Sequence, residues 1–216
     1  MSKTGEAYLQ STEKKVFDIV GASLLAVGAA PLAGAAALGL CIEQRNCNPI
    51  FRQPRVGRNS VPFLVNKFRT LSEQGNGQYF DTFGPTDPRA TRFAKFVRKL
   101  GLDEWPQVVN ILSGDMSLVG IRPQVPLVLE QRQEVDPGLF NDWYYCYQRN
   151  PGLFGSGQAY AHDIGYYKEN GEVIRTVMKL DIHAYETASL GNDIDAVFTQ
   201  PFTLIRSALR SSPLAT

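Results

Sequence analysis

Asp103 and Glu104, adjacent carboxylates in Lys99-Leu-Gly-Leu-Asp103-Glu104-Trp105-Pro106-Gln107, are the residues whose type and setting offer chemistry. Gly101 interrupts the preceding pattern and Pro106 is tolerated in a first turn, so the stretch reads as the start of a helix. The positive end of a helix dipole favours a nearby ionised carboxylate. Such a carboxylate can attack phosphorus while its neighbour holds a divalent cation. Basic residues just upstream, above all Arg98, could then take phosphate oxygens. An Asp ahead of a helix is also a common N-cap, so on position alone both roles stand for Asp103.

The elements that must position this pair emerge from pattern. Asp87-Pro88 supplies an N-cap and first residue, and Gly101 a stop, predicting a helix of about thirteen residues. Within it Phe93, Phe96, Val97 and Leu100 share one face, while Arg89, Arg92, Lys95 and Lys99 gather on another. This amphipathic basic helix is either a surface helix on the core or one lying among anionic headgroups. The helix opening at Asp103 should carry Trp105, Val108, Val109 and Leu112 on its apolar side and end at Gly114. Upstream, 49–58 is punctuated by Pro and Gly as extended and turn structure, and 61–69 has the content of a short strand. A loop is expected over 75–85.

From Ile19 to Ile42 run 24 residues without a charge, enough to cross roughly 30 Å of hydrocarbon as a helix. A cleaved signal peptide and a buried helix of a soluble core compete with a membrane segment. The run outlasts a signal peptide's apolar region, and the residues after it are basic. Lys14 and Lys15 precede it; Arg45, Arg52, Arg55, Arg58, Lys67 and Arg69 come after, with no Asp or Glu between Gln44 and Ser72. Cations at both flanks favour the same cytoplasmic side. Pro31, near the middle, removes a helix hydrogen bond. A helix that enters, breaks near Ala30-Pro31 and returns satisfies both flanks, if protein or interfacial water shields the freed backbone groups. The residues leave a straight span and a re-entrant helix both open; Asp18 lies near the interface in either.

At 216 residues the chain suits one ordinary domain with an appended segment, and its net charge of +1 hides the basic stretch. Cys41, Cys47 and Cys146 form no CxxC pair, so neither a disulfide framework nor a zinc site is expected. His162 and His183 read as structural. The Gly-rich 150–157 reads as a loop whose amides could approach phosphate, without the Lys of a P-loop. Trp143, Tyr144, Tyr145 and Tyr147 are core or interfacial. A helical pattern begins near Ile174, and a last short helix is expected over 201–209.

Taken together these residues resemble the bacterial sugar transferase family of small monotopic phosphoglycosyl transferases. The matching stretches are Lys14-Lys15-Val-Phe17-Asp18; Phe51-Arg52-Gln53-Pro54-Arg55-Val56-Gly57 with Lys67-Phe68-Arg69-Thr70; Asp87-Pro88-Arg89-Ala-Thr91-Arg92; Arg98-Lys99; Leu102-Asp103-Glu104; Pro106-Gln107; Asn110; and Gly114-Asp115-Met116-Ser117-Leu118-Val119-Gly120. The resemblance implies an α+β, mainly helical fold: a re-entrant membrane helix broken at Pro31 within 1–45, then interfacial amphipathic helices and a small catalytic domain with a few short strands over 46–216. It implies transfer of a sugar-1-phosphate from a nucleoside diphosphate sugar, usually a UDP-sugar, to polyprenyl (undecaprenyl) phosphate. Asp103 would be the nucleophile of a covalent aspartyl phosphosugar, with release of UMP. Glu104 would bind Mg²⁺. Arg98, Arg122, Lys67 and Arg69 match positions suited to phosphate and substrate. The implied location is the cytoplasmic face of a bacterial inner membrane, in contact with phospholipid; no nucleic-acid partner is expected.

The chain departs from the usual family pattern at Ala30, Gly101, Ile121 and Phe154, where Ser, Ser, Pro and Thr are common. These departures bear on substrate identity rather than on the Asp-Glu pair. A catalytically silent membrane-surface adaptor for glycan-assembly enzymes is the competing function, against which the intact carboxylate pair speaks.

Overall fold

Residues rich in Ala and Leu favour helix, and Thr12–Gln44 form one long helix, α2, behind the short helix α1 over Lys3–Leu9. The computed structural model describes residues 3–44, 48–71, 87, 89–164 and 170–210; the loop expected over 75–85, Cys47, Pro88 and the side chain of His162 lie outside these. At 33 residues, α2 is roughly 50 Å long at a rise of about 1.5 Å per residue. Its buried positions, Lys14, Ala22, Ala33, Ala36 and Leu40, are mostly small, while Leu24, Val27, Leu32, Leu38 and Ile42 point outward. Its most apolar 18-residue window has a mean hydropathy of 2.0 and is only 17% buried. That exposure is unlike a helix packed inside a protein core; by length and composition α2 is long and apolar enough to cross a membrane, a test that a signal sequence near an N-terminus also passes.

Helical structure continues through Pro31, where the sequence led to a break. A proline deletes one hydrogen bond and bends the axis without having to end the helix. Both ends of α2 are tied to the same globular body. At its start Asp18 accepts from Ser117 Oγ and from the Leu118 amide at 3.0 Å. At its end Gln44 Nε2 donates to the Arg69 carbonyl at 2.7 Å, and Gly39 lies against the Phe93 ring.

The body contains two small sheets. β1 (Ile50–Val56) and β2 (Pro62–Phe68) form an antiparallel hairpin in register from Ile50 opposite Phe68 to Val56 opposite Pro62. Helix α3 (Arg92–Lys99), a 3₁₀ turn over Leu102–Gln107 and α4 (Val108–Leu112) come next. β3 (Ser117–Val119) then pairs in parallel with β4 (Gly152–Phe154), across an excursion through α5 (Pro126–Val135) and α6 (Pro137–Tyr145). Helices α7 (Ser156–Ile164), α8 (Gly171–Glu186) and α9 (Leu190–Arg210) complete the order. One core gathers Phe140, Trp143, Tyr147, Met178 and Ile121. A second joins Ala22 of α2 to Val65, Val108, Ile111 and Leu118, and a third joins Ala33, Ala36 and Leu40 to Phe68, Ala94 and Val97.

Several local expectations are corrected. Helix α3 starts at Arg92, not near Asp87, because Thr91 caps it by accepting from the Ala94 amide at 3.1 Å. Asp87 is instead buried, accepting from the amide and guanidinium of Arg89. Val108 and Ile111 form the buried side of α4 while Val109 and Leu112 face out, because a tighter 3₁₀ turn precedes α4 and rotates it. The segment read as a Gly-rich loop contains strand β4. The Gly152 amide donates to Ile121 O and that of Gly155 to Gln200 Oε1, so neither is offered to phosphate. A Cβ at Gly152 would collide with the backbone of Gly120, which is why glycine stands at this close crossing. The last helix spans 21 residues, with Pro201 in its interior rather than at its start. The aromatic cluster is core: Trp143 is fully buried and donates to Asp181 at 2.9 Å. His183 is exposed.

Candidate active site

Gly101 adopts the left-handed backbone conformation, φ +69°, which a residue with a Cβ rarely does, and so ends α3 where the next turn begins. Asp103 and Glu104 fall inside the first turn of the 3₁₀ segment, with Gly101 in the cap position. Asp103 is therefore not the cap residue. It is 8% exposed, an expensive place for a carboxylate unless its surroundings use it.

Those surroundings are cationic. Lys67 Nζ, from β2, lies 3.2 Å from Glu104 Oε1. Arg122, just after β3, grips the same carboxylate at both oxygens, Nη2 to Oε1 at 2.5 Å and Nη1 to Oε2 at 3.2 Å. Such a fork fixes orientation as well as charge. Gln158, on α7, approaches Glu104 Oε2 through Nε2 at 3.4 Å. Asp103 lines a groove shared with Phe51, Gln53, Lys67, Phe68, Arg69, Thr70, Leu71 and Arg98. There Arg98, in the last turn of α3, donates to Thr70 Oγ1 at 3.3 Å, and the Arg69 guanidinium lies 5.7 Å from the Phe51 ring centroid.

Of the four cations named from sequence, Lys67 and Arg122 thus hold Glu104 from β2 and from just past β3, while Arg69 and Arg98 join Lys67 in lining the Asp103 groove from just past β2 and from α3. Pro31 does not belong to this constellation; it is an exposed residue midway along α2. Nor does Asp18, which clamps α2 to β3 and pairs with Lys14 at 2.9 Å. Lys14 also pairs with Asp193 of α9 at 2.7 Å, and Tyr8 donates to the same carboxylate at 2.9 Å. Burial raises the Asp193 carboxyl above its ordinary range, against the pull of Lys14.

Two residues at the site escaped the sequence reading of roles. Asn110 holds the scaffold: its Nδ2 donates to Leu64 O at 2.8 Å and its Oδ1 accepts from the Asn66 amide at 3.0 Å. It thereby fixes β2, and with it Lys67, against the turn that carries Glu104. Its place in the recurring motif was the available signal. Gln158 sits three residues beyond Gly155, outside every stretch that carries the resemblance, and only the return of β4 alongside β3 brings it to Glu104.

Magnesium binds through one or two carboxylates completed by substrate phosphates rather than in an all-protein cage. The Asp103–Glu104 pair fits that donor set. Among the described residues no group of three or more His, Cys, Asp or Glu is gathered as an all-protein metal cage.

A model of bacterial sugar transferases matches residues 9–207. The chain is 34% identical over 184 residues, 85% of its length and 66% of the relative's, to a Caulobacter vibrioides protein named UDP-glucose:undecaprenyl-phosphate glucose-1-phosphate transferase. It is 32% identical over 187 residues to a Komagataeibacter xylinus undecaprenyl-phosphate glucose phosphotransferase, 86% of this chain and 34% of that one. A Bacillus subtilis putative undecaprenyl-phosphate N-acetylgalactosaminyl 1-phosphate transferase is 34% identical over 126 residues, 58% of this chain and 70% of that one. The chain thus spans less than two thirds of the length of the Caulobacter and Komagataeibacter relatives. With the model covering nearly its whole length, the chain belongs to the bacterial sugar transferase family.

Proposed function

We propose that this protein transfers a sugar-1-phosphate from a UDP-sugar to undecaprenyl phosphate through a covalent intermediate on Asp103. The observation that carries the reading is the buried Asp103 beside a Glu104 carboxylate held by Lys67 and Arg122. A carboxylate oxygen of Asp103 attacks the sugar-bearing phosphorus, and the bond from that phosphorus to the bridging oxygen breaks, so UMP leaves with the electron pair. An oxygen of the lipid phosphate then attacks the same phosphorus and the Asp103 oxygen departs, restoring the carboxylate. Splitting the exchange in two spares the site a direct attack of one phosphate anion on another.

Arg122 and Lys67 rest on Glu104 in the free protein, and an incoming diphosphate competes for them. With these cations turned to phosphate oxygens, Glu104 would be the residue to hold Mg²⁺, which would supply neutralisation of charge at the reacting phosphates. Arg98 and Arg69 line the groove on the Asp103 side and hold the remaining phosphate oxygens. The names of the Caulobacter and Komagataeibacter relatives support undecaprenyl phosphate as acceptor, and that of the Caulobacter relative a UDP-sugar as donor.

Membrane association rests on α2 and its surroundings. Its exposed stripe of Leu24, Val27, Leu32 and Leu38 is joined by Ile194, Phe198 and Phe202, which expose one side of α9 at helical spacing. Because both ends of α2 are bound to one body, a bilayer receives the helix from one side, as re-entrant seating requires; the cations at both flanks, Lys15 before the apolar run and Arg52, Arg55 and Arg58 after it, are what favour the cytoplasmic face. A lipid acceptor is then met in the headgroup layer instead of by search through solution.

Purified protein given a panel of UDP-sugars, Mg²⁺ and undecaprenyl phosphate should release UMP with at least one donor, and chelation should stop it. Liposome binding with no UMP from any donor would favour the adaptor reading instead.

A further inference from the structure

A second cavity, of about 240 Å³, lies between the corner of α1 and α2, strand β3 and helix α8. Neither Asp103, Glu104 nor Lys67 lines it. Its volume is that of roughly eight waters at about 30 Å³ each.

The wall's carboxylates are already engaged. Asp18 accepts from Lys14, Ser117 and the Leu118 amide; Asp193 from Lys14 and Tyr8; Asp181 from Trp143 and the Gly157 amide. Its uncommitted groups include several donors. Arg149 pairs through Nη2 with Glu6 at 3.0 Å, but its Nε is buried without a hydrogen-bond partner, as is Tyr185 Oη, Tyr185 being 6% exposed. Lys15 and Arg58 line the same cavity as exposed residues, and among the described residues their side chains make no ion pair.

A buried hydroxyl and a guanidinium N–H left unsatisfied each cost about 1–3 kcal/mol, which an oxygen-rich ligand would recover. Two guanidinium groups, an ammonium and a hydroxyl approach from α2, α8 and the turns between, a spread that suits the tetrahedrally arranged oxygens of a phosphate monoester or diester better than the two coplanar oxygens of a carboxylate. We infer that this cavity binds a small phosphate-bearing anion, its oxygens held by Tyr185 and Arg149 with Lys15 and Arg58 at the entrance. Lys15 stands four residues before the apolar run, so a glycerophosphate headgroup and a soluble phosphate monoester share the required chemistry.

Thermal unfolding of the full chain in neutral detergent, with glycerol 3-phosphate added at constant ionic strength, tests this. The midpoint should rise saturably, by about 3–6 °C at ten times the half-saturating concentration. Tyr185→Phe removes a hydroxyl that bonds nothing in the free protein. It should hold or raise the unliganded midpoint, by relieving that cost, while raising the half-saturating concentration at least about tenfold. Arg149→Gln should raise it similarly. No rise, or a rise equal in wild type and both variants, overturns the inference; the equal rise would locate the phosphate at other cations such as those beside Glu104. Repeating the Tyr185→Phe comparison in phosphatidylglycerol and phosphatidylcholine bilayer discs separates the sources. A Tyr185-dependent rise in phosphatidylglycerol alone identifies a headgroup, and one confined to added glycerol 3-phosphate identifies a soluble ligand.

Discussion

At the foot of α2 one lysine, Lys14, serves two carboxylates, Asp18 and Asp193, whereas around Asp103 and Glu104 four cations stand by two carboxylates. Both clusters are largely buried, and both use contacts near 3 Å. In the first the excess negative charge is absorbed locally, by Ser117, Tyr8 and the Leu118 amide, and Asp193 has its carboxyl pushed up by burial. In the second the excess is positive and lies along a groove. A network that closes on itself holds elements together; one that carries surplus charge of one sign at a groove is arranged for a ligand of the other sign.

The largest effect that sharpens this contrast is on rate. Asp103→Asn should lower UMP release by on the order of 10³-fold or more while moving the unfolding midpoint little, since the amide is isosteric. Breaking the other network should do the reverse. Lys14→Met leaves Asp193 and Asp18 without their cation and should cost about 3–5 kcal/mol of stability, read as a lowered unfolding midpoint, with UMP release retained at temperatures where the protein is folded. If Lys14→Met abolished activity in folded protein, the division between the two networks would fail. Arg122→Lys keeps charge but loses the fork, and should reduce kcat/KM by roughly 10–100-fold, the worth of a charge-assisted hydrogen bond.

The smallest effect is in pH. Hydrogen bonds from Arg89 hold the Asp87 carboxyl below its ordinary value. A carboxyl lowered in the folded state contributes stability above its unfolded value, near about 3.9, and loses it as pH falls through the lowered folded value. Stability measured from pH 6 downward should therefore decline in that acid window, and Asp87→Asn should flatten the decline. Asp87 is held by Arg89, which takes no part in the contacts of Lys14, so the same variant should leave the Lys14 network untouched.

What was legible in the sequence was mostly local. Gly101 marked a real stop because the backbone there is left-handed; the content of 61–69 marked β2; the uncharged run marked α2. Asp87 misled because an Asp before Pro has the composition of a cap, and nothing local says that its oxygens go to Arg89 while Thr91 takes the cap. Pro201 misled in the same way, since a proline is read as a helix start, yet the helix already runs from Leu190. The site was legible in type but not in pairing. Glu104 meets Arg122 across 18 positions and Gln158 across 54, and Lys14 meets Asp193 across 179. The contact of Glu104 with Gln158 depends on the parallel return of β4 beside β3, and that of Lys14 on the packing of α9 against α2, which no spacing announces.

The central claim is that Asp103 carries the sugar phosphate between donor and acceptor. Mass spectrometry of the protein incubated with a competent UDP-sugar and Mg²⁺, without lipid acceptor, should find the peptide containing Asp103 heavier by one sugar phosphate. The adduct should vanish on addition of undecaprenyl phosphate and never form in Asp103→Asn. Product formation at normal rates by Asp103→Asn, with no adduct in the wild type, would contradict it.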